Sequence, residues 1–217
     1  MAEMLRAVLF DLDGTLMNTL RDIAGAMNHA LRQFGLPEWN TDDYRYLVGN
    51  GAKVLAQRAV RERQELAEQV REIYQRQYET HNRVHTRPYP GIPETLKNLA
   101  GRGIAVCAFS NKPHRDTVNV LKYYLAEIPF SVILGQTDRF PVKPDPAGAL
   151  WIAEQVGIPP SAFLYVGDSA VDMACAVRAG MHPVGALWGF RDAEELTAGG
   201  AERLIARPGE LGQLFGR

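Results

Sequence analysis

This chain of 217 residues predicts an α/β fold: a doubly wound, Rossmann-like parallel sheet with an all-helical insert after its first strand. Three patterns carry that expectation. From residue 93 onward, short apolar runs alternate with segments of helical spacing, as parallel strands joined by right-handed crossovers require. Between residues 19 and 84 the spacing is helical throughout. Ahead of both, an apolar run ends in Asp11-Leu12-Asp13-Gly14-Thr15.

The first strand is expected over 6–11, with Ala7, Val8, Leu9 and Phe10 as its apolar body. Side chains alternate along a strand, so Asp11 and Asp13 share a side, and Gly14 permits a sharp turn beyond them. A hairpin is the competing reading, because Asp-Gly after an apolar run also signals one. A calcium loop is excluded: Gly14 is fourth from Asp11 instead of sixth, and position twelve is Asp22 instead of glutamate. The next helix shows one face in Leu20, Ile23, Ala24, Met27, Leu31 and Phe34, and Gly35 and Pro37 close it. Two more helical stretches follow, over 51–63 and along the stripe Leu66, Val70, Ile73, Tyr74, Gln77.

Arg87-Pro88-Tyr89-Pro90-Gly91 reads as a linker. Beyond it, strands are expected at 104–109, 131–135, 162–167 and 183–187, and helices begin near Pro93, Pro113, Pro146 and Ala170. The division that follows is an α/β core of residues 1–15 and 88–217 with a helical insert of residues 16–87.

Composition narrows the function classes. At 46% hydrophobic the chain can bury a substantial core. A net charge of -1 argues against an electrostatic nucleic-acid binder. The mixed charges between Arg58 and Arg87 interleave in sign, as on a solvated helical face. Cys107 and Cys175 sit in apolar surroundings without metal-type spacing and read as reduced core thiols. No apolar run approaches the roughly 18 residues of a membrane span, and none resembles a signal peptide. A cytoplasmic protein, with no membrane and no nucleic-acid partner, is the expectation.

Open parallel sheets bind ligands beyond the carboxyl ends of their strands. There this sequence places Asp11 and Asp13, then Ser110-Asn111-Lys112, then Lys143, then Gly167-Asp168 through Asp172. Each has a plainer reading: Ser110, Asn111, Asp168 or Ser169 as a helix cap, Lys143 as a loop lysine. Their convergence on one edge favours chemistry, and the chemistry they suit is phosphoryl transfer to a carboxylate. A carboxylate attacking an anionic ester meets like-charge repulsion, so cations are needed: Lys143, and magnesium held by carboxylates. The second acid can then protonate the leaving alkoxide and activate water.

With these motifs in order, the chain resembles the haloacid dehalogenase-like hydrolase superfamily and, within it, the phosphoglycolate phosphatase-like group. The strings Val48-Gly49-Asn50-Gly51-Ala52, Ser110-Asn111-Lys112-Pro113 and Trp188-Gly189-Phe190-Arg191, followed by Glu194-Glu195-Leu196, favour that group. The resemblance implies a magnesium-dependent phosphatase acting on a small phosphorylated metabolite, 2-phosphoglycolate first. It implies Asp11 as nucleophile, Asp13 as general acid and base, and Lys143 as charge neutraliser, with Ser110 and Asn111 binding the phosphoryl group. Asp168 would complete the magnesium site with the Asp11 carboxylate and the Asp13 carbonyl, and Asp172 would orient that site or Lys143 from behind.

The helical insert would be a cap domain, with the backbone groups of its Gly49-Asn50 loop approaching the substrate; a plain helix-start turn is the competing reading of that loop. Lys53 reads as a surface lysine, with contact to a substrate carboxylate the alternative. Where many relatives have an acid shortly after the first motif, this chain has Asn18. A dehalogenase is disfavoured by Asp13, whereas a sugar-phosphate mutase or another metabolite phosphatase shares all four motifs; a non-catalytic binding module would be expected to have lost one. The chain is expected to be a monomer or homodimer.

Overall fold

The computed structural model describes residues 4–216. Six strands form one parallel sheet in the order β5-β4-β1-β6-β7-β8: β1 (Ala7–Phe10) at the centre, β4 (Ala105–Pro113) and β5 (Val132–Gln136) to one side, and β6 (Phe163–Gly167), β7 (His182–Ala186) and β8 (Arg203–Ile205) to the other. Phe10 sits level with Ala108 on one neighbour and Val166 on the other; β1 and β6 end at about this level, and β4 runs on to Pro113. Both neighbours run parallel to β1, which removes the hairpin alternative.

Strand alternation sends Val8, Phe10, Val106, Ala108 and Val166 into one buried cluster and Leu9, Cys107, Phe109 and Tyr165 into another. The first is covered by α5 (Ile92–Gly101), α6 (His114–Tyr124) and α10 (Leu211–Leu214), and the second by α7 (Ala147–Val156) and α8 (Ala170–Ala179). Among the described residues, no helix is long and apolar enough to cross a membrane.

Between β1 and α5 the chain builds α1 (Leu20–Gln33), α2 (Tyr44–Leu47), α3 (Gly51–Ala59) and α4 (Ala67–His81). These helices share a third cluster of their own, and Phe190 joins it from the loop after β7. The stripe Leu20, Ile23, Ala24, Met27, Leu31 is buried as its spacing predicts.

Three sequence expectations need correction. The stretch 51–63 is not helical to its end, since α3 stops at Ala59 and Arg61 takes a positive φ of 54°. Part of the expected linker is a strand: β3 (Arg87–Pro88) pairs antiparallel with β2 (Met17–Asn18). The edge strand β8 and the short α9 (Ala193–Ala198) were not expected.

The two crossings into the helical insert therefore lie side by side, and a buried acid joins them again. Asp22, in the first turn of α1, accepts hydrogen bonds from the His85 N–H at 2.9 Å, the Thr86 N–H at 2.9 Å and the Thr86 hydroxyl at 2.8 Å.

Candidate active site

At the level where β1 and β6 end, the central group is Lys143. It is buried, and its ammonium donates to Asp11 Oδ1 at 2.7 Å, Asp172 Oδ1 at 2.6 Å and the Phe109 carbonyl at 3.2 Å. Its three protons are thereby committed. Burial works against its charge, but the Asp11 and Asp172 carboxylates outweigh that and hold its pKa above the ordinary lysine value.

Asp11 experiences the reverse balance. Burial raises its pKa well above the usual carboxylate range, Lys143 opposes the rise, and Asp172 and Asp168 add to it. Asp168 is pushed up to about 7, chiefly by burial and then by Asp172, against hydrogen bonds from the Phe190 N–H and the Thr15 hydroxyl. Those bonds measure 2.8 and 3.0 Å.

Backbone must approach closely for this edge to form. Gly14 has φ +92°, and a Cβ there would lie 2.2 Å from Asp168 Oδ2. At Gly189 a Cβ would lie 2.2 Å from the Asp168 Cβ. Only glycine fits either position.

Asp11, Asp168 and Asp172 each offer one oxygen within 4.8 Å of the others. Three buried carboxylates facing one lysine leave excess negative charge, and an all-oxygen donor set suits a hard divalent cation such as magnesium. The residues fit that ion. The Asp13 carboxylate stands outside the cluster, paired with Lys112, whose Nζ lies 3.1 Å from both of its oxygens.

The other expected residues divide. Ser110 and Asn111 are buried at the end of β4, where the register with β5 shifts between Phe109 and Pro113. The Asn111 side chain is tied down: its amide donates to the Gly49 carbonyl at 2.9 Å and the Lys143 carbonyl at 3.1 Å, and its oxygen accepts from the Lys143 N–H at 2.8 Å. Ser169 does cap α8, in a reciprocal pair with Asp172, so Asp172 both caps and grips Lys143.

Gly49 lines the site cavity, but the Asn50 side chain turns away to accept from Arg58 at 2.9 Å. Lys53 is exposed and lines a separate outer groove with Glu68 and Arg71. The cavity itself is bounded by Asp11, Asp13, Ser110 and Lys112 from the sheet and by Ile23, Val48, Leu55 and Tyr74 from the insert. Its volume is about 50 Å³. One water needs ~10–15 Å³ on that measure, so the space has room for a compact group.

Sequence reasoning gave no role to Thr15, Lys112 or Phe190. Thr15 and Lys112 lie inside quoted motifs, so their position was available. Phe190 acts on Asp168 through its main-chain N–H, which no residue type announces.

Comparison with known proteins adds to this geometry. The sequence model of the family described as haloacid dehalogenase-like hydrolase matches residues 8–186. The chain is similar to the phosphoglycolate phosphatase of Aquifex aeolicus (strain VF5), at 31% identity over 97% of each protein. It is also similar to that of Pseudomonas savastanoi pv. phaseolicola, at 36% identity over 85% of this chain and 70% of the relative. Among solved structures, a predicted phosphoglycolate phosphatase from Haemophilus somnus 129PT superposes with a TM-score of 0.88 at 30% identity, covering 97% of each chain. A protein from Lactobacillus delbrueckii subsp. bulgaricus reaches a TM-score of 0.93 at 25% identity, covering 99% of this chain and 100% of that one.

Proposed function

The chain belongs to the haloacid dehalogenase-like hydrolase family and is a phosphoric monoester hydrolase, and from that premise we propose that it converts 2-phosphoglycolate to glycolate and phosphate through an aspartyl-phosphate. In this reading an Asp11 oxygen attacks phosphorus, the bond from phosphorus to the ester oxygen breaks, and Asp13, which must enter this step protonated, gives its proton to the leaving alkoxide. Asp13, now a carboxylate, takes a proton from water as that water attacks the phosphoryl group, and Asp11 is released. Lys143 holds Asp11 in place and offsets its charge, while Ser110 and the main chain around Asn111 receive the phosphoryl oxygens.

Asp11 and Asp168, with the Asp13 carbonyl, would hold magnesium, and Asp172 would brace both that set and Lys143. The bound ion supplies charge neutralisation at the phosphoryl oxygens. Residues 16–87 act as a cap that closes over the site to exclude bulk water and opens to admit the hydrolytic one. Its hinge is the paired crossing at β2 and β3.

One observation supports the reading most: Asp11 and Asp13, two positions apart at one strand end, bound a small cavity while each is paired with its own buried lysine. The phosphoglycolate phosphatases to which the chain is similar favour a phosphatase over a sugar-phosphate mutase. Phosphate release measured across a panel of phosphorylated metabolites tests it. The highest kcat/KM should fall on 2-phosphoglycolate, and a higher value for a hexose phosphate overturns the assignment.

A further inference from the structure

The cavity contains a cation that the mechanism above does not use. Lys112 follows the Ser110-Asn111 pair on β4, is 7% exposed, and lines the cavity beside Asp13. Among the described residues that line this space it is the one cation. Lys143 lies beneath with its protons committed, and Lys53 belongs to the outer groove. Arg191, which reaches the insert loop, donates to the Val48 carbonyl at 3.3 Å and pairs with Glu195 at 3.1 Å.

Lys112 is also placed with care. Its ammonium meets both Asp13 oxygens at 3.1 Å and lies 4.4 Å from the centre of the Tyr78 ring, which α4 of the insert lays over it. Both contacts run to the two oxygens of one carboxylate, which lie too close together to take separate N–H bonds, so the ammonium keeps a proton for an incoming acceptor. The opposite wall, formed by Ile23, Val48 and Leu55 with Tyr74 beside them, is largely apolar.

We propose that Lys112 recognises the leaving group: its ammonium receives a carboxylate carried by the substrate's alcohol and makes small carboxylate-bearing phosphate monoesters the substrate class of this site. This deepens, and rests on, the phosphatase reading above. A phosphate ester that brings a further carboxylate into a site already holding Asp11, Asp13, Asp168 and Asp172 requires a cation at the point of entry. Lys112 meets that need where it matters for catalysis. It grips Asp13 with one side and the substrate carboxylate with the other, so the ester oxygen, one carbon from that carboxylate, is delivered to the acid that must protonate it. Because the Tyr78 ring completes the lysine's surroundings, the recognition site is whole only while the insert is closed.

The test compares kcat/KM for 2-phosphoglycolate and for ethyl phosphate, a substrate of similar size without the carboxylate. In the native enzyme the carboxylate ester should be preferred. Lys112→Met disturbs Asp13 for both substrates alike, but it should lower the ratio of 2-phosphoglycolate to ethyl phosphate by roughly 10- to 100-fold, mostly through KM. Lys112→Arg should retain most of that ratio. An equal loss on both substrates, or no loss, means that Lys112 acts on Asp13 alone and overturns the proposal.

A second measurement needs no variant. Glycolate should inhibit hydrolysis of an aryl phosphate by the native enzyme about tenfold more strongly than glycolamide, and equal inhibition also overturns the proposal. Failure of the phosphatase reading looks different, because the native enzyme would then release phosphate from neither ester.

Discussion

At the sheet edge, Lys143 and the carboxylates of Asp11 and Asp172 meet within 2.7 Å and are almost wholly buried. The helical insert above them reverses this arrangement: its ion pairs, such as Arg32 with Glu38 and Arg63 with Glu65, are exposed, and its interior is Leu, Ile, Met, Val and Tyr. Exposed pairs contribute ~0–1 kcal/mol, so the insert is held by apolar burial. Buried charges cost several kcal/mol each before pairing and are weak sources of stability. The edge therefore spends stability on chemistry, while the insert packs around an apolar cluster that Phe190 enters from the loop after β7. Contacts that join them near the site include Asn111 to the Gly49 carbonyl, Arg191 to the Val48 carbonyl, the Lys112 ammonium against Tyr78, and the Phe190 ring set into the helical cluster.

The largest expected effect lies at the edge. Asp11→Asn should reduce turnover by roughly 10⁴-fold or more, with the fold retained on circular dichroism and no phosphoenzyme trapped after acid quench. Comparable turnover or a trapped adduct would reassign the nucleophile. Asp13→Asn should cost roughly 10²- to 10⁴-fold on 2-phosphoglycolate. On nitrophenyl phosphate, whose leaving group needs no acid, it should show a burst of nitrophenol followed by slow steady turnover. Absence of a burst, with equal losses on both substrates, would remove Asp13 from the acid and base role.

Next comes the join between the two regions. Phe190 is 6% exposed within the helical cluster, and its N–H donates to Asp168 at 2.8 Å. Phe190→Ala should destabilise the protein by roughly 3 kcal/mol through the cavity it leaves. If the insert and the edge are coupled here, magnesium affinity measured calorimetrically without substrate should also weaken severalfold. Leu196→Ala, buried near β7, should lower the melting temperature without that second effect. Loss of stability alone in both variants would separate the regions completely.

The same contrast explains what the sequence could and could not reveal. β1, its Asp11 and Asp13, and the strands that deliver Ser110 and Asp168 are local apolar runs ending in motif residues, so periodicity and strand-end logic reach them. The buried stripe on α1 is local too. The Lys112 to Asp13 pair joins residues 99 positions apart, and its geometry comes from sheet registration, which spacing does not encode. β2 and β3 are two residues each and pair only because the insert returns beside its own entry. β8 has three residues after Gly199-Gly200, too few to show alternation. The Gly49-Asn50 loop is expected to bring backbone groups toward the substrate, and Gly49 does line the cavity; that Arg58 on the following helix takes the Asn50 side chain is a contact the loop's composition does not announce.

The smallest expected effect concerns the charge balance at the edge. Asp168 is shifted from the ordinary 3.8 to about 7, by burial first and Asp172 second, and Asp11 is raised in the same direction. The folded protein without a divalent cation therefore takes up protons, between about pH 4 and about pH 7, that the unfolded chain does not. Where the folded state binds more protons, stability falls as pH rises. In chelator, the melting temperature should drop by roughly 4–8 °C between about pH 5 and pH 7.5, corresponding to ~2 kcal/mol for a chain of this size.

Excess magnesium should remove most of the drop, because an ion that binds ionised carboxylates stabilises the fold increasingly as they lose their protons. Asp168→Asn should flatten the chelated profile, since an amide does not titrate, and should also abolish most of the rescue by magnesium. Substituting an insert carboxylate such as Glu65, already exposed and paired with Arg63, should change neither curve. A flat profile for the unmodified protein in chelator would mean that Lys143 alone balances the three carboxylates, and that the edge carries no excess negative charge for a cation to meet.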